Sequence, residues 1–255
     1  METTKKTLKI SFSTQKGGVG KSTMTILMAG VLHYRLGFNV AVMDCDFPQH
    51  SLTNMRERDK KTIMQNDYHK KAAMKQFQAI NKKAYPIIRC KAENSLEVAS
   101  DYLSQSAVVP DVIFFDLPGT ANTKGVLTTL KAMAFIFSPI TADRLVVEST
   151  LGFTKAFLGL PETTNGNEKQ EMWLFWNQVD GREKTGLYEA YQNVIGELNL
   201  PIMETRIMDS KRFRKETDDT GTYIFRSSLL PTEPQLMKAT KLDLFVEEFL
   251  KIIHL

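Results

Sequence analysis

The chain has 255 residues, of which 42% are hydrophobic and 24% are charged, so it has the composition of a globular protein with a sizeable core. Two cysteines, Cys45 and Cys90, are too few for a disulfide framework or a cysteine-rich metal site, and no apolar run is long enough to span a membrane. The polar start METTKKTLKI lacks the pattern of a signal peptide, so we expect a cytoplasmic protein.

The net charge of +4 is unevenly distributed along the chain. Residues 52–91 contain eleven lysines and arginines and three acidic residues, a net charge of +8, which leaves −4 for the remainder. A local excess of positive charge of this size indicates a polyanionic partner.

Predicted strands and helices alternate along the whole chain. The strands are expected at residues 7–14, 38–43, 86–90, 111–116, 134–138, 171–176, 202–207 and 223–226. The helices are expected at residues 22–36, 52–84, 95–104, 123–133, 143–158, 186–198, 210–217 and 233–254, with a loop at 161–169. This alternation is typical of an α/β protein with a mostly parallel central sheet and helices on both faces. Because the sequence shows no repeat or linker, we expect a single domain over residues 1–255.

Residues 13–23, STQKGGVGKST, form a glycine-rich loop between the first predicted strand and the first predicted helix. This context makes a phosphate-binding loop a strong prediction, although Gln15 stands where the pattern has its first glycine. Backbone N–H groups of residues 18–23 can converge on phosphate oxygens. Lys21 is expected to reach the β- and γ-phosphates, and the Ser22 hydroxyl to bind Mg²⁺. The candidate nucleotide-binding residues in the loop are Lys16, Gly17, Gly18, Val19, Gly20, Lys21, Ser22 and Thr23.

The segment KGGVGKST, with Lys16 at its start, resembles the deviant Walker A motif of the ParA/MinD ATPases. Four later segments are similar to motifs of that family and follow in the family's order: DCDFPQ at 44–49, FFDLPG at 114–119, FSP at 137–139 and WNQVDGR at 176–182. Phe47 is a departure, because the family usually passes directly from Asp to Pro at this point. The resemblance spans roughly residues 7–232 and implies a three-layer P-loop NTPase that binds ATP and Mg²⁺.

The resemblance also implies a catalytic set of Lys16, Lys21 and Asp46. Lys16 is expected to cross a dimer interface to the partner's ATP and to stabilise transition-state charge there, as an arginine finger does. Asp46 is expected to position the attacking water.

Further residues at predicted strand ends complete the expected site. Asp44 lies two residues before Asp46 at the end of the same predicted strand, and we expect it to support Mg²⁺ or the loop. Asp116 ends a buried strand, where a carboxylate requires a cation, and Mg²⁺ bound through water is the expected partner. Asn177 is a candidate for reading the adenine edge, and a turn residue is the competing interpretation. Pro231 is expected to pack near the base.

Family members dimerise with ATP, and slow hydrolysis sets the lifetime of the dimer. The resemblance therefore implies a homodimer with ATP and a partner protein that stimulates hydrolysis. Non-specific DNA binding requires lysine and arginine beside phosphates. Two segments qualify: the +8 segment at residues 52–91, and the short set Lys211, Arg212, Arg214 and Lys215. The favoured function is a DNA-binding ATPase switch in DNA partition or segregation, or in mobile-element maintenance or transfer.

Two alternatives remain open at this point. A membrane-associated positioning ATPase like MinD would need an amphipathic C-terminal helix with a basic polar face. Residues 233–254 do have an apolar stripe, but Asp243, Glu247 and Glu248 lie beside it, so packing into the core is the favoured interpretation and no membrane is expected. A nucleotide-dependent enzyme of another kind is the second alternative, because one fold can host many activities.

Overall fold

The computed structural model of the protein describes residues 6–119, 124–159, 170–182, 186–218 and 223–255. The strands are β1 (Leu8–Phe12), β2 (Val40–Asp44), β3 (Ile87–Arg89), β4 (Val112–Asp116), β5 (Phe135–Ile140) and β6 (Glu171–Trp176). The first five helices are α1 (Lys21–Tyr34), α2 (Ser51–Gln65), α3 (Asp67–Ile80), α4 (Ser95–Gln105) and α5 (Lys124–Lys131). The others are α6 (Arg144–Leu158), α7 (Leu187–Glu197), α8 (Lys211–Arg214), α9 (Pro234–Thr240) and α10 (Leu242–Ile252).

The six strands form one sheet in the order β3-β2-β4-β1-β5-β6, and every strand pair is parallel. The central strands β2 and β4 are buried along their whole length, as expected for a sheet covered on both faces. Alternate residues of β2 belong to different hydrophobic clusters: Val42 packs with α1 and α10, and Met43 packs with residues of α4 and α5. The predicted α/β architecture is therefore confirmed.

Parallel pairing places the carboxyl ends of all six strands at one edge of the sheet. The register aligns Asp44 at the end of β2 with Asp116 at the end of β4. The glycine-rich loop follows β1, which lies between β4 and β5. The topology thus brings the predicted phosphate loop and the two predicted acidic strand ends to the same edge.

Several predicted elements differ in the structure. The helix expected at residues 52–84 is two helices, because Asn66 adopts an extended conformation and its side chain caps α3 by accepting from the N–H groups of Tyr68 and His69. The helix expected at 233–254 is also divided, since Lys241 has a positive φ of 58°. The short helix expected at 210–217 already ends at Arg214.

The last two predicted strands are reduced to isolated bridges. Ile202 pairs with Leu174 of β6 in a single parallel bridge, and Ile224 pairs with Thr217 in a single antiparallel one. The residues between 202 and 207 bond to β6 only at intervals, so no continuous ladder forms among the described residues. The loop predicted at 161–169 lies outside the described residues, as does residue 123 of the predicted helix 123–133.

The apolar stripe of the C-terminal segment packs into the core, as the sequence favoured. Four residues of this stripe in α10 are buried: Leu242, Phe245, Val246 and Phe249. The ring centre of Phe249 lies 4.6 Å from the ring centre of Phe137 in β5. Of the helices in the described ranges, none is long and apolar enough to cross a membrane.

Candidate functional site

The glycine-rich loop leads directly into the first turn of α1. Gly18 and Gly20 have φ values of 78° and 94°, a backbone region that residues with a Cβ atom rarely occupy. Gly20 is the N-cap of α1 and supplies no side chain to cap the first turn. The leading N–H groups of α1 have no partner within the helix. Together with the partial positive charge of a helix N-terminus, they form a site suited to an anion such as phosphate.

Asn177, at the end of β6, braces this loop from behind. Its side-chain amide is buried and donates to the carbonyl oxygen of Val19 at 2.8 Å. Gln178 likewise donates to the carbonyl of Gly18 at 3.1 Å. A Cβ atom at Gly20 would lie 2.6 Å from Nδ2 of Asn177, a distance that real Cβ contacts do not reach. The structure therefore places the predicted adenine reader against the phosphate loop, where it fixes the loop backbone.

Lys21 is largely buried at the base of the loop, and its Nζ donates to the carbonyl oxygen of Lys16 at 2.8 Å. Burial lowers the pKa of this amine, while the nearby carboxylates of Asp116 and Asp46 raise it. The amine therefore lies where it can contact a phosphate held by the loop. The side chain of Lys16 is partly exposed and does not line the cavity beside the loop.

Asp116 and Asp44 lie side by side beneath the loop. Both oxygens of Asp116 are buried without a hydrogen-bond partner of good geometry among the described residues. Burial raises the pKa of this carboxyl to about 7, and the adjacent Ser22 hydroxyl partly offsets that rise. Asp44 accepts hydrogen bonds from the backbone and hydroxyl of Thr53 through Oδ2, whereas Oδ1 is buried and unpartnered by the same criterion.

These unpartnered carboxylate oxygens fit a bound cation. Buried carboxylates are costly unless a positive charge lies beside them. In the described part of the chain, no group of three or more His, Cys, Asp or Glu side chains could hold a metal by itself. Mg²⁺ keeps several waters and binds through one or two carboxylates plus phosphate oxygens. Ser22, Asp44 and Asp116 are therefore suitable ligands, directly or through water.

Asp46 follows β2 and lines the cavity on the side facing Lys21. Burial raises the pKa of this half-buried carboxyl, Asp44 adds to the rise, and Lys21 and His50 lower it. Phe47, the residue that departs from the family pattern, points outward with 54% of its surface exposed. The ammonium group of Lys91 lies 4.6 Å from the centre of its ring. The extra residue is therefore accommodated on the surface and leaves Asp46 at the cavity.

The cavity has a volume of about 750 Å³, enough for a nucleotide. Its loop side is formed by residues of the predicted site: Gly17, Gly18, Gly20, Lys21, Ser22, Thr23, Asp46 and Asn177. The remaining wall includes residues that sequence analysis did not assign to a nucleotide: Met208, Asp209, Ser210, Phe213 and Arg214. These residues directly follow the strand predicted at residues 202–207. A position at the end of a predicted strand was the sequence signal that could have placed them at the site.

Some predicted site residues do not face the cavity with their side chains. The backbone of Val19 is part of the loop, and its side chain is buried. Pro231 packs over the middle of α1, where its Cα is 3.9 Å from the Cβ position of Gly30, and it does not line the cavity. Of the predicted DNA-binding residues, Arg214 lines the cavity and pairs with Asp209 at 2.7 Å. The guanidinium of Arg212 lies 5.5 Å from the ring centre of Phe225, and Lys211 and Lys215 are exposed.

Arg226 is a further residue at the site that sequence analysis missed. Its Nη1 donates to the Thr23 hydroxyl at 2.7 Å and to the carbonyl of Phe213 at 3.2 Å. Burial lowers the pKa of this guanidinium, and Glu216 opposes that effect. Glu216 in turn accepts two hydrogen bonds from Arg58 of α2. A continuous set of polar contacts therefore joins the first turn of α1 to α2.

The loop, the buried lysine and the buried carboxylates at the carboxyl edge of a parallel sheet define a P-loop nucleotide-binding protein. A family model described as the CobQ/CobB/MinD/ParA nucleotide binding domain matches residues 10–220. The chain belongs to this family, and the resemblance to ParA/MinD ATPases is confirmed. No curated protein sequence matches the chain.

Similar solved structures support the same fold. A putative plasmid partition protein from Borrelia burgdorferi B31, bound to AMPPNP, has a TM-score of 0.63 at 18% identity, over 96% of this chain and 99% of that chain. The pNOB8 ParA bound to nonspecific DNA has a TM-score of 0.52 at 18% identity, over 78% and 80%. The cobyrinic acid a,c-diamide synthase of Mycobacterium smegmatis, with bound ADP and magnesium, has a TM-score of 0.54 at 21% identity, over 81% and 88%.

Proposed function

We propose that this protein is an ATP-dependent dimerisation switch that binds DNA without sequence preference and hydrolyses ATP slowly. The observation on which this depends is the arrangement of polar groups at the cavity: an anion-binding loop with Lys21 lies beside two buried carboxylates, and three of their four oxygens have no hydrogen-bond partner of good geometry among the described residues. A nucleotide triphosphate with Mg²⁺ supplies both missing partners, since its phosphates bind the loop and its cation faces Asp44 and Asp116. Relatives of this fold with AMPPNP, and with ADP and magnesium, support that choice of ligand.

Residues 17–23 would hold the phosphates through backbone N–H groups, and Lys21 would leave the Lys16 carbonyl to contact the β- and γ-phosphates. Ser22, Asp44 and Asp116 would hold Mg²⁺, which on binding neutralises charge on the phosphate oxygens. Asn177 keeps the loop in its binding conformation through the Val19 carbonyl. The nucleoside is left facing the opposite wall, where Phe213 and Arg214 line the cavity.

In hydrolysis, Asp46 would orient a water for in-line attack on the γ-phosphorus. The new bond forms between the water oxygen and phosphorus, the bond to the bridging β–γ oxygen breaks, and the proton from water ends on inorganic phosphate. A raised pKa at Asp46 makes this carboxylate a better proton acceptor. Lys21 stabilises the charge that develops on the transferred group and on ADP.

Lys16 is proposed to act across the dimer. Its side chain does not line the cavity of its own subunit, although its carbonyl holds Lys21. A lysine in this position is available to the nucleotide of a second subunit, where it would neutralise the charge of two facing triphosphates. Dimerisation would then depend on the γ-phosphate.

The dimer is proposed to bind DNA, in partition or segregation, or in maintenance or transfer of a mobile element. The ParA bound to nonspecific DNA supports this choice. Lys211, Arg212, Arg214 and Lys215 are one of the two sets of contact residues predicted from sequence, and the segment 52–91 is the other. A hydrolysis-stimulating partner and a cytoplasmic, nucleoid-associated location complete the proposal. A MinD-like membrane role has less support, because the stripe on α10 is buried in the core.

The test compares K16A with the parent chain and with K124A, which removes an exposed lysine of α5. Each is analysed by sedimentation velocity with ADP, ATP or AMPPNP, and by phosphate release. We expect a dimer with ATP or AMPPNP in the parent and in K124A, and a monomer with weaker hydrolysis in K16A. Unchanged dimerisation and hydrolysis in K16A would contradict the role of Lys16. A parent chain that fails to bind Mg²⁺-ATP would overturn the proposed function as a whole.

A further inference from the structure

The outward face of α3 is strongly basic. Lys70, Lys71 and Lys75 are exposed, and none forms an ion pair with a described residue. Asp67 is the one acidic residue of this helix, and it does not pair with them either. Lys71 and Lys75 are four residues apart, so their like charges lie next to each other on the helix surface and repel. A bound polyanion would relieve this repulsion.

Much of the other positive charge in residues 52–91 is already engaged inside the protein. Arg56 is buried and donates to the carbonyl of Tyr85 and to Ser228. Arg58 is paired with Glu216, and Lys60 with Glu57. Lys61 and Lys83 are also exposed elsewhere in this segment, and the largest group of exposed lysines without an ion pair to a described residue is the set of three on α3.

The second basic set, on and after α8, is less suited to a polyanion. Arg214 faces the nucleotide cavity and is paired with Asp209. Arg212 is held over the ring of Phe225. The helix itself spans only the four residues Lys211–Arg214, so it offers a short surface.

The chemistry of the α3 face matches a DNA backbone. Tyr68 is 74% exposed and Gln78 is exposed on the same face, and both side-chain types donate hydrogen bonds to phosphate. Lysine is depleted at protein–protein interfaces, whereas non-specific DNA binding uses lysine extensively. DNA therefore explains this composition better than an acidic protein does.

The opposite face of α3 fixes the helix to the body of the protein. Gln76 donates to the carbonyl of Leu229, and Ala73 packs with Leu229 in a small buried cluster. The segment that contains Leu229 also contains Arg226, which contacts Thr23 in the phosphate loop. The basic face is therefore presented by a rigid element that is tied to the nucleotide site.

We infer that the outward face of α3, with Lys70, Lys71 and Lys75 at its centre, is the surface that contacts the phosphate backbone of double-stranded DNA. This inference rests on the proposed function, in which the ATP-bound dimer binds DNA. It assigns the contact to the first of the two basic segments that the sequence offered, residues 52–91, and not to the α8 set.

The test uses the full chain with ATP and a fluorescent duplex of mixed sequence, measured by anisotropy between about 50 and 200 mM salt. The variant K70Q/K71Q/K75Q is compared with the parent and with K124Q/K155Q/K251Q, which removes the same charge from exposed positions on α5, α6 and α10. A third variant, K211Q/R212Q/K215Q, tests the α8 set. Dimerisation with ATP is measured for each variant, so that a loss of DNA binding is separated from a loss of the switch.

We expect the α3 variant to dimerise normally and to bind DNA at least about tenfold more weakly, with a salt slope lower by up to about 2.7 per subunit, which is about 0.9 for each lost contact. The other two variants should stay close to the parent. Parental affinity and slope in the α3 variant would overturn the inference alone, and so would a loss confined to the α8 variant. Binding of poly-glutamate is measured for the same variants. If the α3 variant keeps its DNA affinity but no longer binds poly-glutamate, the face binds an acidic protein and the inference is overturned. A parent chain that binds no DNA would overturn the proposed DNA binding together with this inference.

Discussion

Replacing Asp116 with asparagine should stabilise the protein in the absence of nucleotide. The carboxyl group is fully buried, and neither of its oxygens has a hydrogen-bond partner of good geometry among the described residues. Asparagine has nearly the same shape and no charge. The substitution therefore removes a buried charge without creating a cavity.

The magnitude follows from the pKa of this group. Burial raises the pKa of Asp116 from an ordinary value of 3.8 to about 7. Between these values the unfolded chain releases the proton and the folded protein retains it, so the folded state binds more protons and its stability falls as pH rises. The loss is complete above about pH 7 and amounts to about 4 kcal/mol, since one pKa unit corresponds to about 1.4 kcal/mol. At about pH 5 the same reasoning gives about 2 kcal/mol.

The measurement is urea unfolding of D116N and the parent at about pH 5 and pH 8, without nucleotide. The advantage of D116N in free energy of unfolding should grow from about 2 to about 4 kcal/mol between the two conditions. The control D101N removes a carboxylate from the exposed surface of α4 and should show no such growth. Added Mg²⁺-ATP should stabilise the parent and not D116N, because the variant has lost the charge that faces the cation.

A constant difference between D116N and the parent at both pH values would refute this reasoning. It would mean that Asp116 is ionised in the folded protein with a counter-charge already in place. A lower stability of D116N at pH 8 would lead to the same conclusion.

Two further substitutions test the loop and its support. G20A should lower the stability of the protein and abolish nucleotide binding, measured by urea unfolding and isothermal titration calorimetry, because Gly20 has φ 94° and an added Cβ would clash with Asn177. G17A adds the same atom where nothing lies within 4 Å, so a folded G17A that loses stability as much as G20A would contradict the steric argument. R226M removes the hydrogen bond to Thr23 and should lower the free energy of unfolding by about 1–3 kcal/mol and weaken nucleotide binding. Unchanged nucleotide affinity in R226M would show that Thr23 keeps its position without Arg226.

The sheet and the phosphate loop were predictable because their signals are local. Dense apolar runs such as residues 111–116 identify buried strands, and a glycine-rich turn between a strand and a helix identifies the loop. Parallel topology then brings Asp44 and Asp116 together without further information. The division of the C-terminal helix at Lys241 was missed, because the hydrophobic pattern continues across it.

The contacts that complete the site join residues far apart in the sequence. Asn177 binds the carbonyl of Val19 across 158 positions, and Arg226 binds Thr23 across 203 positions. An asparagine after a strand is compatible with a turn, a ligand contact or a brace, and only the packing of β6 beside the loop decides among them. The basic run at residues 52–91 was visible as composition, but its separation into engaged arginines and exposed lysines required the tertiary structure.

Arg226 connects the two ends of the proposed switch by direct contacts. It donates to Thr23 at the phosphate loop and lies 3.8 Å from Glu216, the partner of Arg58 on α2. Thermodynamic linkage requires that any influence along such a path act equally in both directions. If nucleotide changes the affinity of the α2–α3 region for a polyanion by some factor, the polyanion changes the affinity for nucleotide by the same factor. The affinity of this protein for ATP would then report whether the molecule is free in solution or bound to a long anionic polymer.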